Sequence, residues 1–402
     1  MRSPTILSGI PSFEFSTGML NFNAEHGFAE ALLRGFRSGF LNLEEYRKLG
    51  QCESLEDVRA VLEETEYGSF LQDETGNLLV PTIVRKCKEK LAQEFSFLGA
   101  QASGSLVVFL DFIRKEKMIE NVIFIIGGIL NNKAPKDLLG RTNPLGHFEE
   151  LKLLFSIDLS NGLDEIYRVI LVDTPIAPYF QEYLDSVVSA GGSSTTEGLI
   201  ATVISEADLE ILKNILHKAW LEDFYATFGV DEDILGVILK TEADFRLLSI
   251  VLNALNSPLG SSQQLADRNA LFPAMGFLYP EGTDRLRKAY NEQTVRQALE
   301  PFGRYFAFYE AVRLYYEATA GGAAKSAAGV PATKSIEDIV YTETSALYEL
   351  AFEDQFHLAP FYAYVKLKEQ EIRNIEWIAN MIQMNRKDQA TKQLVPIFAP
   401  RV

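Results

Sequence analysis

Cysteine is scarce: Cys52 and Cys87 are the only two in 402 residues. So few thiols suit a reducing compartment and cannot form a disulfide framework, although one bridge between them stays open. Histidine is nearly as rare. His26, His147, His217 and His357 are scattered, no two lie at i, i+3 or i, i+4, and there is no Cys-x-x-Cys. A zinc site is therefore not expected. Long apolar runs are missing too. The most apolar, Val122–Leu130, is bounded by Asn121 and Asn131. It is about half the ~20 residues that a membrane-spanning helix needs and reads as a buried core helix. Basic residues are the minority, with 38 Lys and Arg against 55 Asp and Glu, a net charge of −17. Such a surface repels phosphate backbones and anionic headgroups, which excludes nucleic acid and a bare membrane but not a membrane protein.

Motifs for chemistry are absent as well. Gly127-Gly128 sits in the apolar run without the Gly-x-x-x-x-Gly-Lys-Ser/Thr pattern, and no Gly-x-Gly-x-x-Gly follows a strand. Cys52 has no histidine near it in sequence, and there is no Gly-x-Ser-x-Gly elbow. Asp231-Glu232-Asp233 is the one dense acidic cluster. It precedes Ile234-Leu235 and reads as the charged first turn of a helix, which the helix dipole favours. No catalytic, cofactor-binding or metal-binding residue is expected. Met1–Gly18 lacks a cationic start followed by an apolar stretch, so a loose extension is expected rather than a secretory signal.

What is there is helical and repetitive. The length exceeds what one hydrophobic core holds, and 47% hydrophobic with 23% charged residues is the balance of a folded soluble chain. Phe28, Leu32, Phe36 and Phe40 recur every four residues, which predicts one face of a helix. Gly35-x-x-x-Gly39 is expected to permit close helix approach or to end the helix. Ser54 with Asp57 predicts an N-cap, followed by the stripe Val58, Val61 and Leu62. No run of alternating strands is visible, so the fold class is all-α. Two small-residue stretches, Ser186–Thr196 and Ala318–Ser335, read as surface loops.

Shifted on itself by 237 residues, the sequence matches without a gap. Gly39-Phe40-Leu41 falls on Gly276-Phe277-Leu278, Leu49 on Leu286, and Val58-Arg59 with Leu62-Glu63 on Val295-Arg296 with Leu299-Glu300. A weaker middle copy sets Leu163-Asp164-Glu165-Ile166 against Leu55-Glu56-Asp57-Val58. A second pattern occurs three times, around Glu116, Glu242 and Glu369. Phe112, Ile238 and Val365 lie four residues before these glutamates, and Val122, Leu248 and Ile375 lie six after. Upstream of each an acidic-aromatic helix is expected, at Leu91–Phe95, Ala219–Phe224 and Ala351–Phe356. One unit of about 115 residues, used three times, accounts for this order. Glu242/Arg246 and Glu369/Arg373 are spaced to meet on one helix face, either as exposed pairs or as a partly buried network. Glu116 has Glu120 in the arginine's place, so the first copy breaks the pattern.

At this point the residues carry a family. Glu25-His26-Gly27-Phe28, Gln51-Cys52-Glu53-Ser54-Leu55-Glu56-Asp57, Tyr67-Gly68-Ser69-Phe70-Leu71, Met118-Ile119-Glu120-Asn121-Val122, Leu278-Tyr279-Pro280 and the long run Val365–Ile375 resemble the d subunits of eukaryotic vacuolar-type proton-pumping ATPases. The likeness runs from about Phe22 to Phe398. Thr142-Asn143 stands before Pro144-Leu145-Gly146 where that family usually has Cys-His, and the two loops and the N-terminal extension are longer than is typical. The resemblance implies three similar helical lobes in a funnel around a central hollow. It divides the chain into an extension at 1–21 and lobes at 22–135, 136–265 and 266–402. It implies a non-catalytic peripheral subunit on the cytosolic face of vacuolar or other acidic-organelle membranes. Its partners would be the proteolipid ring and the central-stalk subunits, between which it passes torque. The structural or interface candidates are Glu242, Arg246, Lys366, Glu369, Arg373, Asn374 and Trp377. Two other readings stay open: a free-standing helical adaptor with an open groove, and a helical diphosphate enzyme using Asp231-Glu232-Asp233.

Overall fold

The computed structural model describes residues 19–72, 78–156, 173–181, 206–230, 234–255, 265–320, 336–391, 393–395 and 397–398. In chain order the α-helices are α1 (Met19–Arg37), α2 (Leu43–Gln51), α3 (Leu55–Glu63), α4 (Gly68–Leu71), α5 (Val80–Gln101), α6 (Ser105–Leu130), α7 (Pro135–Leu139), α8 (Glu206–Phe228), α9 (Ile234–Ala254), α10 (Leu265–Ala270), α11 (Glu281–Arg287), α12 (Glu292–Leu299), α13 (Gly303–Ala320), α14 (Ile336–Leu350), α15 (Ala359–Gln383) and α16 (Lys387–Ala390). Two 3-10 segments, Pro144–Gly146 and Glu149–Ser156, follow α7. The described residues contain no strand, so the chain is all-α.

Local chemistry sets several helix ends. Ser54 accepts from the Asp57 N–H, and the Asp57 carboxylate accepts from the Ser54 N–H, a reciprocal cap that opens α3. Asn291 and Thr294 do the same for α12, at the positions that the 237-residue shift pairs with them. The shifted positions are also buried alike. Leu41 and Leu278, Leu49 and Leu286, Val58 and Val295, and Leu62 and Leu299 are all core residues.

Two apolar cores result. The larger draws on α1–α6, α8, the first half of α9 and the whole of α15. The smaller joins the second half of α9 to Leu271 and Phe272, just after α10, and to α11–α13. Helix α9 belongs to both, with Leu235, Ile238 and Leu239 in the first and Phe245, Leu248 and Val251 in the second. The apolar run Val122–Leu130 is the buried end of α6, where a Cβ on Gly128 would collide with the Leu138 side chain.

Some expectations are corrected. Phe28 is 65% exposed, and the buried face of α1 is formed by His26, Ala29, Glu30 and Leu33. A strict four-residue spacing drifts by about 40° per step on a 3.6-residue helix, so Phe28 falls off the face with which Leu32, Phe36 and Phe40 pack against the core. Phe40 lies beyond the end of α1. Gly35 lies inside α1 with open space around it, so it makes no close helix approach, and Gly39 follows the end of α1. Ala351–Phe356 forms turns after α14 rather than a helix, although Phe352 is buried as Phe95 and Phe224 are. Helix α1 begins at Met19, inside the expected extension, and α13 continues to Ala320. Leu163–Ile166, Ser186–Thr196, Asp231–Asp233 and most of Ala318–Ser335 fall outside the described residues.

Candidate functional site

The three copies of the second pattern are the long helices α6, α9 and α15. Their apolar positions are core: Phe112 and Val122, Ile238 and Leu248, Val365 and Ile375 are all buried. Each helix then turns its pattern glutamate toward one shared cavity of about 860 Å³. Glu116, Lys117 and Glu120 line it from α6, Glu242 and Arg246 from α9, and Lys366, Glu369 and Arg373 from α15. Tyr341, Thr344 and Tyr348 of α14 complete this part of the wall.

The pairing across this cavity runs between helices. Lys117, only 2% exposed, sits 2.8 Å from Glu369, 3.0 Å from Glu120 and 3.3 Å from Glu116. Lys366 donates to Glu116 at 2.6 Å. Glu242 accepts from the hydroxyls of Tyr348 (2.7 Å) and Tyr362 (2.8 Å). The expected pairs Glu242/Arg246 and Glu369/Arg373 do not form: neither arginine lies within 4 Å of a carboxylate among the described residues. Arg373 instead stacks on the Tyr341 ring, 3.3 Å from its centroid, and donates to Gln370 at 2.7 Å. The carboxylates found better-desolvated partners on neighbouring helices, and these outcompete a local pair worth only ~0.3–0.5 kcal/mol.

The cluster perturbs its own members. Burial pushes the Glu116 carboxyl up, but Lys117 and Lys366 outweigh this and hold it below the usual carboxylate range. Burial pulls the Lys117 ammonium down, and Glu116, Glu120 and Glu369 more than restore it, so it stays charged. Burial raises the Glu242 carboxyl. It also lowers His217 well below the ordinary histidine range, with Arg246 adding to the effect.

Five of the seven sequence candidates thus line one cavity: Glu242, Arg246, Lys366, Glu369 and Arg373. The other two lie away from it. Asn374 is buried and bridges Val395, donating to its carbonyl (2.8 Å) and accepting from its N–H (3.2 Å). Trp377 is half-buried against the core and donates to the Gln389 carbonyl. Sequence reasoning missed Lys117, Tyr348 and Tyr362. The signal was the broken first copy, because two glutamates without an arginine require a cation from elsewhere, and Lys117 and Lys366 supply it.

The family model described as ATP synthase (C/AC39) subunit matches residues 29–394. The chain belongs to that family. Among curated proteins, it is 38% identical to the V-type proton ATPase subunit d of Dictyostelium discoideum, over 95% of this chain and 97% of the relative. It is 36% identical to the probable V-type proton ATPase subunit d of Oryza sativa subsp. japonica, over 94% and 99%. It is 33% identical to V-type proton ATPase subunit d of Saccharomyces cerevisiae, over 91% and 96%. Within this family of V-type proton ATPase d subunits, the all-α fold follows as expected. No described helix is long and apolar enough to cross a membrane. No described group of histidine, cysteine, aspartate or glutamate side chains is arranged to hold a metal ion.

Proposed function

We propose that this chain is the non-catalytic coupling subunit of a rotary V-type proton ATPase. It joins the central stalk of the ATP-hydrolysing sector to the proteolipid ring and passes torque between them. It works as a peripheral subunit on the cytosolic face of an acidic-organelle membrane, with three similar lobes around a hollow. The observation that carries this reading is the near-full-length match to V-type proton ATPase d subunits. The cavity supports it, because three repeated helices that converge on one ion-paired cluster make a stiff centre. Stiffness is needed where a rotor works against a membrane potential costing about 2.3 kcal/mol per charge per 100 mV. Contacts that do not slip under that load should exceed the ~1,600 Å² of a standard interface. A surface with net charge −17 suits basic partner faces.

The test is affinity isolation of the tagged chain from detergent-solubilised membranes, followed by identification of what accompanies it. Proteolipid-ring and central-stalk subunits are expected together. Recovery of neither overturns the reading.

A further inference from the structure

We propose that α6, α9 and α15 latch the chain into a closed cycle, each holding a turn of the next repeat unit, with Glu371 joining the last unit back to the first. Glu371 lies two residues after the pattern glutamate of α15, and Asp244 lies two residues after that of α9. Neither faces the cavity, and both are almost fully buried.

They do the same work on equivalent turns. Glu371 accepts the Leu41 N–H at 2.6 Å and the Tyr67 hydroxyl at 2.6 Å. Asp244 accepts the Leu278 N–H at 3.1 Å, the Phe277 N–H at 2.8 Å and the Tyr305 hydroxyl. Leu41 and Leu278 are the residues that the 237-residue shift superimposes. A lysine covers the preceding phenylalanine in each case, Lys368 over Phe40 and Lys240 over Phe277. Lys368 also donates to the Gly39 carbonyl (2.9 Å) and to Glu371 (2.7 Å), so the first turn is held through both its N–H and C=O groups. At the second turn Gly276 adopts φ +125°, and a Cβ there would collide with Asp244. The close approach of carboxylate to backbone therefore requires glycine.

The third latch differs in chemistry and lies one turn further along its helix. The corresponding position of α6 is Met118, which has no carboxylate. One turn on, Asn121 accepts the Asn143 N–H (2.7 Å) and donates to the Asn143 carbonyl (2.9 Å). Gly146 of the same turn packs onto the α6 backbone at Lys117 so closely that a Cβ would collide with it. Helix α6 thus holds the turn of the second unit, α9 that of the third, and α15 that of the first. The order closes on itself across more than 300 residues of chain. Closing so long a loop costs chain entropy, but that cost grows only slowly with length, so buried bonds can offset it.

The mechanical purpose of the cycle rests on the proposed function, but the cycle itself is tested on the isolated chain. Amide hydrogen exchange is measured for Leu41, Leu278 and Phe277 in the wild type, Glu371→Met and Asp244→Leu, with Tyr67→Phe as a milder variant that removes a single bond to the latch. Exposed Glu44→Gln serves as control. A buried N–H that loses its acceptor is expected to exchange roughly tenfold faster or more. Glu371→Met should free Leu41, and Asp244→Leu should free Phe277 and Leu278, because neither new side chain offers an oxygen acceptor. In a closed cycle the melting shifts of the two latch variants combine non-additively, since opening one latch changes what the other holds. Additive shifts, or unchanged exchange at Leu41 in both Glu371→Met and Tyr67→Phe, overturn the cycle while leaving the proposed function standing. Failure to recover ring and stalk overturns the function while leaving the cycle standing.

Discussion

A single buried ammonium holds much of the centre together. Lys117 touches three carboxylates, from two helices, at 2.8 to 3.3 Å. Removing it leaves Glu116 and Glu369 charged in a desolvated place, which is far worse than losing an exposed pair. Lys117→Met is expected to lower the unfolding free energy by about 3–5 kcal/mol. Arg285→Ala, whose partner Glu281 is on the surface, should change it by less than about 1 kcal/mol. Urea titrations of the two variants check this. A second residue-scale outcome concerns pH. Burial pushes the Asp244 carboxyl up to about 6, against the pull of its three donors. The folded chain then binds a proton more tightly than the unfolded one. The stability from this group is complete below about pH 4 and is lost as pH rises through about 6, a swing of at most about 3 kcal/mol. Asp244→Asn should remove that slope, and melting temperatures between pH 4 and 7 for variant and wild type read it directly.

Among the elements, α3 and α12 show how a repeat is kept while its residues change. Ser54 with Asp57 and Asn291 with Thr294 are different pairs, yet each closes the same reciprocal cap. Ser54→Ala and Asn291→Ala should each cost about 1 kcal/mol, measurable by denaturant unfolding. Asn291→Ser should cost only a few tenths, because serine caps nearly as well. Only the first cap was legible beforehand, because Ser-x-x-Asp is a recognised capping pattern and Asn-x-x-Thr is a weaker one. The row Phe28, Leu32, Phe36 and Phe40 misled at Phe28 alone, for a geometric reason: four-residue spacing drifts from the pitch of a helix, while the other three still pack against the core. The core-facing residues of α1 include His26 and Glu30, which a hydrophobicity pattern passes over.

For the whole molecule, α9 matters most, because it contributes to both cores and to the cavity between the pattern helices. Its cavity side carries Glu242 and Arg246, its latch side Asp244, and its two ends different apolar sets. A helix shared this way couples the two cores. The wild type is therefore expected to unfold in one transition, with fluorescence and circular dichroism midpoints coinciding. Leu239→Ala in one core and Leu248→Ala in the other should each lower the common midpoint, by about 2–5 kcal/mol in free energy. Splitting into two transitions would show that the cores act separately.

The sequence alone determined the helical class, the repeat and the family, because these rest on local periodicity and on residues at fixed spacing. It also picked out Glu116, Glu242 and Glu369, which recur in register. Only the tertiary structure decided their partners. Lys117 meets Glu369, Tyr348 and Tyr362 meet Glu242, and Glu371 meets Leu41, all between segments far apart in the chain. Side-chain spacing on one helix predicts which groups can meet locally. Desolvation in the folded core decides which of them do, and it favoured contacts between helices over the arginines four residues away.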